Sequence, residues 1–136
     1  MDIRDFATWS AHRVEVAVEK VVLELRMNGN SLGHFTVHQD GRIEPKPPVA
    51  GEAVLRAQAA ALRGKLGEQL TMTWRDDEGW RVLAHNGHVV RVRREAVNSF
   101  LAIVDGVPQR WTISPDDIVF VQKMVERLVL DMPPRQ

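Results

Sequence analysis

The sequence predicts an α+β fold in which antiparallel meanders are covered on one face by helices, in the approximate order α-βββ-α-βββ-(α)-α. Three observations carry this. Residues 114–130 repeat apolar side chains at helical spacing. Shorter apolar stretches alternate and are parted by Asn-Gly and Asp-Gly pairs. An alanine-rich segment stands between two groups of such stretches.

In chain order, residues 2–9 set Ile3, Phe6 and Trp9 on one side at helical spacing, giving a short first helix. Residues 12–27 fit two periods: Val14, Val16 and Val18 alternate, while Val14, Val18, Val21 and Leu25 would line a helix. β-Branched side chains are stiff in a helix and pack well on a pleated surface, so the stretch reads as one long strand with a bulge at Glu19 and Lys20. Asn28 and Gly29 favour a tight reversal that returns residues 32–38 as a second strand, and Asp40-Gly41 turns the chain into a short third strand at 42–44. The Pro-Lys-Pro-Pro run that follows cannot join a ladder and is a connection. Residues 51–66 then form a helix with Leu55, Ala59, Leu62 and Leu66 on one face and Gly67 as its stop; its small side chains suit a close approach to a sheet.

Three more strands are expected at 69–75, 80–85 and 88–93, joined by the acidic turn at 76–79 and by Asn86-Gly87. Residues 94–104 place Val97, Phe100, Leu101 and Val104 at helical spacing and read as a helix, although 99–104 also fits a buried strand. Residues 107–113 give a short edge strand. The closing helix starts sharply, with Ser114 as cap, Pro115 where a missing N–H is not needed, and Asp116 and Asp117 at the positive end of the dipole; Pro133 and Pro134 end it. Ile118, Phe120, Val121, Met124, Val125, Leu128 and Val129 fill about half its circumference, opposite Gln122, Lys123, Glu126 and Arg127. An arc this wide meets more than one neighbour. A homodimer is therefore expected, with Val119, Phe120, Met124 and Leu128 as the partner interface.

No repeat of fixed period or interdomain linker interrupts the chain, so residues 1–136 are expected to form a single α+β domain, long enough to fold without a metal or disulfide. Eighteen basic residues balance eighteen acidic ones, which removes the whole-surface footprint of a nonspecific nucleic-acid or membrane binder and leaves only local patches. The lack of cysteine removes disulfides, thiolate catalysis and thiolate metal sites. Early acids, the absence of a long apolar core near the start and the lack of any run of about 18 apolar residues point away from export and membrane spanning and toward the cytoplasm.

Four histidines are candidate metal ligands. His34 and His38, four apart on a strand, share a face, and His85 and His88 flank a two-residue turn. A metal-dependent hydrolase would need the two hairpins to meet, since no HExxH motif or matching carboxylate spacing completes either pair; solvated turn and edge histidines are the plainer reading. None of Ser10, Ser31, Ser99 and Ser114 sits in a nucleophile elbow, no glycine pattern cradles phosphate, and Asp76, Asp77 and Glu78 read as a hairpin tip. In the 69–94 meander, Leu70, Met72, Trp74, Trp80, Val82, Ala84, Val89, Arg91 and Arg93 are expected on one face, with Trp80 opposite Arg93. Trp74 and Trp80 stacking on bases while Arg91, Arg93 and Arg94 hold phosphates is the nucleic-acid reading. Buried structural tryptophans are the competing one, and the apolar neighbours favour it.

With enzyme signatures lacking and apolar surface in surplus, the leading expectation is a noncatalytic protein-interaction module, an adaptor, regulator or chaperone-like homodimer with a further protein partner and no cofactor. Nucleic-acid binding comes second, and a metal-dependent hydrolase third.

Overall fold

The computed structural model describes residues 2 to 135. A short 3₁₀ turn at Ile3–Asp5 leads into β1 (Thr8–Val16), β2 (Lys20–Met27), β3 (Asn30–His38) and β4 (Ile43–Glu44), followed by α1 (Val49–Leu62). The second half runs β5 (Arg75–Asp77), β6 (Trp80–His85), β7 (His88–Ala96), β8 (Ser99–Val104), β9 (Val107–Thr112) and α2 (Ile118–Asp131). All nine strands join one sheet in the order β4-β3-β2-β1-β9-β8-β7-β6-β5. Every neighbouring pair is antiparallel except β1 and β9. Two units, β1 to β3 with α1 and β7 to β9 with α2, thus lie side by side, joined at the parallel pair. The α+β class and the antiparallel meanders stand as the sequence predicts.

Both helices pack on the same side of the sheet and on each other. Alternation along the strands aims Trp9, Val21, Leu23, Leu25, Phe35, Val37, Val90, Val92, Phe100, Ala102 and Trp111 into the core with Val54, Leu55, Val121, Met124, Val125 and Leu128 of the helices. Phe6, Val82 and Leu101 are buried too, outside that core. Leu101 lies between Arg93 and Arg110 across the sheet and Val82 is opposite Arg91, so the aliphatic stems of arginines shield them on the far face. Among the described residues no helix is long and apolar enough to cross a membrane.

α1 approaches the sheet closely because Gly51 has no side chain: a Cβ there would stand 2.8 Å from Leu25 Cδ2 and 2.9 Å from Trp9 Cζ3. Gly51→Val is therefore expected to lower unfolding free energy by about 1–3 kcal/mol, the usual range for overpacking a filled core. Urea denaturation checks it; a stability equal to or above the wild type would mean that the Trp9–Leu25 wall yields freely.

Several expectations are corrected. Residues 12–27 are a hairpin rather than one strand, because the slip at Glu19 and Lys20 is a turn closed by Ala17 N–H donating to the Lys20 carbonyl. Residues 2–9 hold only the 3₁₀ turn before β1 begins. Residues 94–104 are the end of β7, a turn with Asn98 at φ 58°, and β8, which lies between two strands and is buried on both faces. β9 is central rather than an edge. Of residues 69–75 only Arg75 enters a strand. α1 ends at Leu62, before Gly64 rather than Gly67. α2 starts later than expected because Asp117, not Ser114, caps it, its Oδ1 accepting from Val119 N–H at 2.9 Å, while Asp116 is drawn to Arg94.

Candidate functional site

The far sheet face carries Trp80, Val82, Ala84, Val89, Arg91 and Arg93 in register, as the alternation requires. Arg93 stacks on the Trp80 ring with its guanidinium carbon 4.6 Å from the ring centroid, the cross-strand pair the sequence predicts. Arg91 Nη1 donates to Asp77 Oδ2 at 2.8 Å and holds that carboxyl below its usual range. Arg94 turns to the helix side, where Nε and Nη2 grip the two oxygens of Asp116 at 2.9 and 2.7 Å. Trp74 is not on this face: its Nε1–H donates to Glu126 Oε2 at 2.8 Å, and its ring packs against the helix-side core. The five residues of the nucleic-acid reading are therefore split between two faces, and each of the three arginines already has a partner within the chain.

The helical spacing places Glu126 opposite the apolar arc of α2. It is 5 % exposed and accepts four hydrogen bonds, from Thr71 N–H and Thr71 Oγ1 at 2.9 Å, Met72 N–H at 3.0 Å and the Trp74 indole. Burial pushes its carboxyl up, but those donors together outweigh it and leave the group below the usual carboxylate range. Gln122, one turn earlier, is equally buried and accepts from Arg81 Nη1 at 3.0 Å. Gln122 and Glu126, opposite the apolar arc, are thus covered by the segment before β5 and by β6, while Val119 and Leu130 stay exposed. Met124 and Leu128 are fully inaccessible within this one chain, Phe120 is partly buried against the core, and only Val119 is exposed. The self-covering arc expected to drive a homodimer belongs instead to the chain's own core.

His34 and His38 share a face of β3, and His85 pairs directly across from His88. Five strand spacings, about 24 Å, separate β3 from β7. The hairpins do not meet, and among the described residues no three His, Asp or Glu side chains converge as ligands. His38 Nε2 faces Glu44 Oε2 at 3.1 Å. His88 is buried: Nδ1 lies 2.7 Å from Asp105 Oδ2 and Nε2 lies 2.7 Å from the Pro133 carbonyl. Sequence spacing missed a contact between Ser10 Oγ and His12 Nε2 at 2.8 Å. That pair is on the exposed part of β1, and among the described residues no side chain bonds the other nitrogen of His12, so it lacks the orienting group that activates a serine.

Comparison with protein-family models, with curated proteins and with solved structures gave no match.

The sheet also leaves strand segments bare. β9 pairs with β1 only at Thr8↔Arg110 and Trp9↔Trp111, then ends at Thr112, while β1 runs on to Val16. Residues 10–16 therefore have a neighbouring strand, β2, on one side alone. Val14 is exposed on this segment, and Val18, at the turn beyond it, is 80 % exposed. A shallow hollow at the same hairpin end is lined by Val16, Ala17, Val18, Leu62, Arg63 and Lys65, with the Arg63 Nη2 held by the Val37 carbonyl at 2.7 Å.

Proposed function

We propose that this chain is a noncatalytic protein-interaction module, an adaptor, regulator or chaperone-like protein, that takes an extended segment of a partner protein alongside β1. The observation that supports this is the bare edge at residues 10–16, bordered by exposed Val14 and Val18. An unpaired strand edge offers a row of N–H and C=O groups, and natural sheets usually cover such an edge or guard it. The outer edge strands are short, β4 with two residues and β5 with three, and β3 is also bare beyond β4; the inner edge of β1 is the one bordered by exposed valines and an apolar hollow. Main-chain hydrogen bonds along β1 supply affinity, and the hollow beside Leu62 supplies a pocket for an apolar side chain of the added strand. Exposed Lys65 beside it selects an acidic residue next to that side chain.

A partner is captured from native lysate by the tagged chain, with and without nuclease, and amide exchange is mapped on the complex. The expected result is nuclease-resistant capture with protection of residues 10–16, lost in the double variant Val14→Asp, Val18→Asp while its melting midpoint holds. Protection centred on Arg91 and Arg93 that vanishes with nuclease would transfer the function to nucleic acid. Twice the chain mass by light scattering, with the same residues protected, would make the partner a second copy.

A further inference from the structure

The bulge in β1 sets which side chains an added strand must carry. β2 meets Arg13 with Leu23 and Val16 with Val21, so three steps along β1 are matched by two along its neighbour. Residues directly opposite each other share a face, and Leu23 and Val21 are both fully buried in the core. Arg13 and Val16 therefore both look to the helix side of the sheet, Arg13 exposed and Val16 packed at the margin of the core. A strand laid on the free side of β1 meets the same bulge. Two of its residues, two apart, then face Arg13 and Val16 on the helix side.

The charge on that side has one sign. Among the described residues no Asp or Glu lines the hollow beyond Val16. Glu15 is opposite Val22 and so lies on the other face. Among the described residues no carboxylate is ion-paired with Arg13, Arg63 or Lys65. Arg63 is held by the Val37 carbonyl and adds only its field, whereas Arg13 and Lys65 are exposed. The apolar floor of Val16 and Leu62 thus has one unanswered cation before it along β1 and another just past the end of α1.

We infer that the segment taken up by β1 is acidic, with an aliphatic side chain seated on Val16 and Leu62 and a glutamate or aspartate two positions away against Arg13. This rests on the reading of β1 as a docking edge and goes further, fixing the sign and the spacing of what docks. A basic segment would set like charges across the strand pair, which is destabilising, and an all-apolar one would gain nothing from Arg13 or Lys65.

Three acetylated and amidated heptapeptides, TETLTET, TKTLTKT and TETSTET, are titrated into the full chain by calorimetry at low salt, with amide exchange mapping the site. Each reads the same in both directions, so the pattern is matched whether the strand docks parallel or antiparallel. TETLTET is expected to bind one to one with protection of residues 10–16, about tenfold more tightly than TKTLTKT, from exposed ion pairs gained and like-charge contacts avoided. Salt narrows that gap, and TETSTET binds more weakly than TETLTET. Arg13→Glu removes the preference for the acidic peptide while the melting midpoint holds, as it should for an exposed side chain without an ion-pair partner. Equal binding of the acidic and basic peptides with residues 10–16 protected would overturn the sign and leave the edge reading intact. An undiminished preference in Arg13→Glu would overturn the placement of the acid. No protection of residues 10–16 by any of the three would overturn the edge reading together with the inference.

Discussion

Glu126→Ala is expected to lower the unfolding free energy at pH 7 by about 3–5 kcal/mol, the range for removing one partner from a buried charged network. The carboxylate is the acceptor for two backbone N–H groups, a hydroxyl and an indole, all drawn from residues 71–74. Without it these donors stay buried with nothing to receive them, and each unsatisfied group costs about 1–3 kcal/mol unless the segment moves to reach water. Glu126→Gln keeps the shape but turns an N–H₂ group toward donors, so about 2–3 kcal/mol is expected from it. The folded carboxyl is depressed, so its contribution is complete above the unfolded value and is lost as pH falls through the folded one. Urea denaturation from pH 7 down to pH 3 reads both effects, and exchange at the Thr71 and Met72 amides should accelerate in the variants. A loss under 1 kcal/mol with those amides still protected would show that the segment is held by its apolar contacts alone.

The turns were the most legible part of the chain. Asn28-Gly29, Glu78-Gly79 and Asn86-Gly87 all take positive φ at both positions, a local demand that only a few residue types meet, and they set the register on either side. Two whole elements went wrong where local period was ambiguous. Residues 99–104 are buried on both faces as β8, which erases alternation, and the valine run through residues 14–22 continues across a turn that carries no Gly, Asn or Pro. The polar face of α2 failed for a different reason: a helical wheel reports polarity, whereas burial of Glu126 depends on donors more than 50 residues earlier in the chain. Of the candidate sites, the Trp80–Arg93 stack and the His85–His88 pairing follow from strand register and were readable. The bare edge of β1 was not, because it exists only where β9 stops beside it.

His88→Ala is expected to cost about 3 kcal/mol near pH 5.5, with a difference from the wild type that shrinks as pH rises. Both partners of the ring are acceptors, the Asp105 carboxylate at Nδ1 and the Pro133 carbonyl at Nε2, so both nitrogens must carry protons and the folded state holds an imidazolium. Burial pushes its pKa down, but the bonds to Asp105 and Pro133 outweigh it and leave the group above its ordinary value. Arg135, 3.4 Å from Asp105, works against the charge, and His85 lies directly across the turn. A raised folded pKa means that the stabilisation is complete below the unfolded value of about 6.5 and is lost as pH rises through the folded one. Asp105 sets the other limit: burial raises its carboxyl, His88 and the Val89 N–H lower it further, and its contribution is lost as pH falls through the depressed value. The pair therefore stabilises most between about pH 4.5 and 6.5. Its release also frees the chain end, because Pro133 is held by His88 and Arg135 N–H by the Asn86 carbonyl at 2.8 Å. Denaturation of wild type and variant from pH 4 to 9 should give a difference that peaks near pH 5.5, with faster exchange at the Arg135 amide in the variant. A difference that stays constant from pH 5 to 9 would mean that His88 contributes by packing and not by charge.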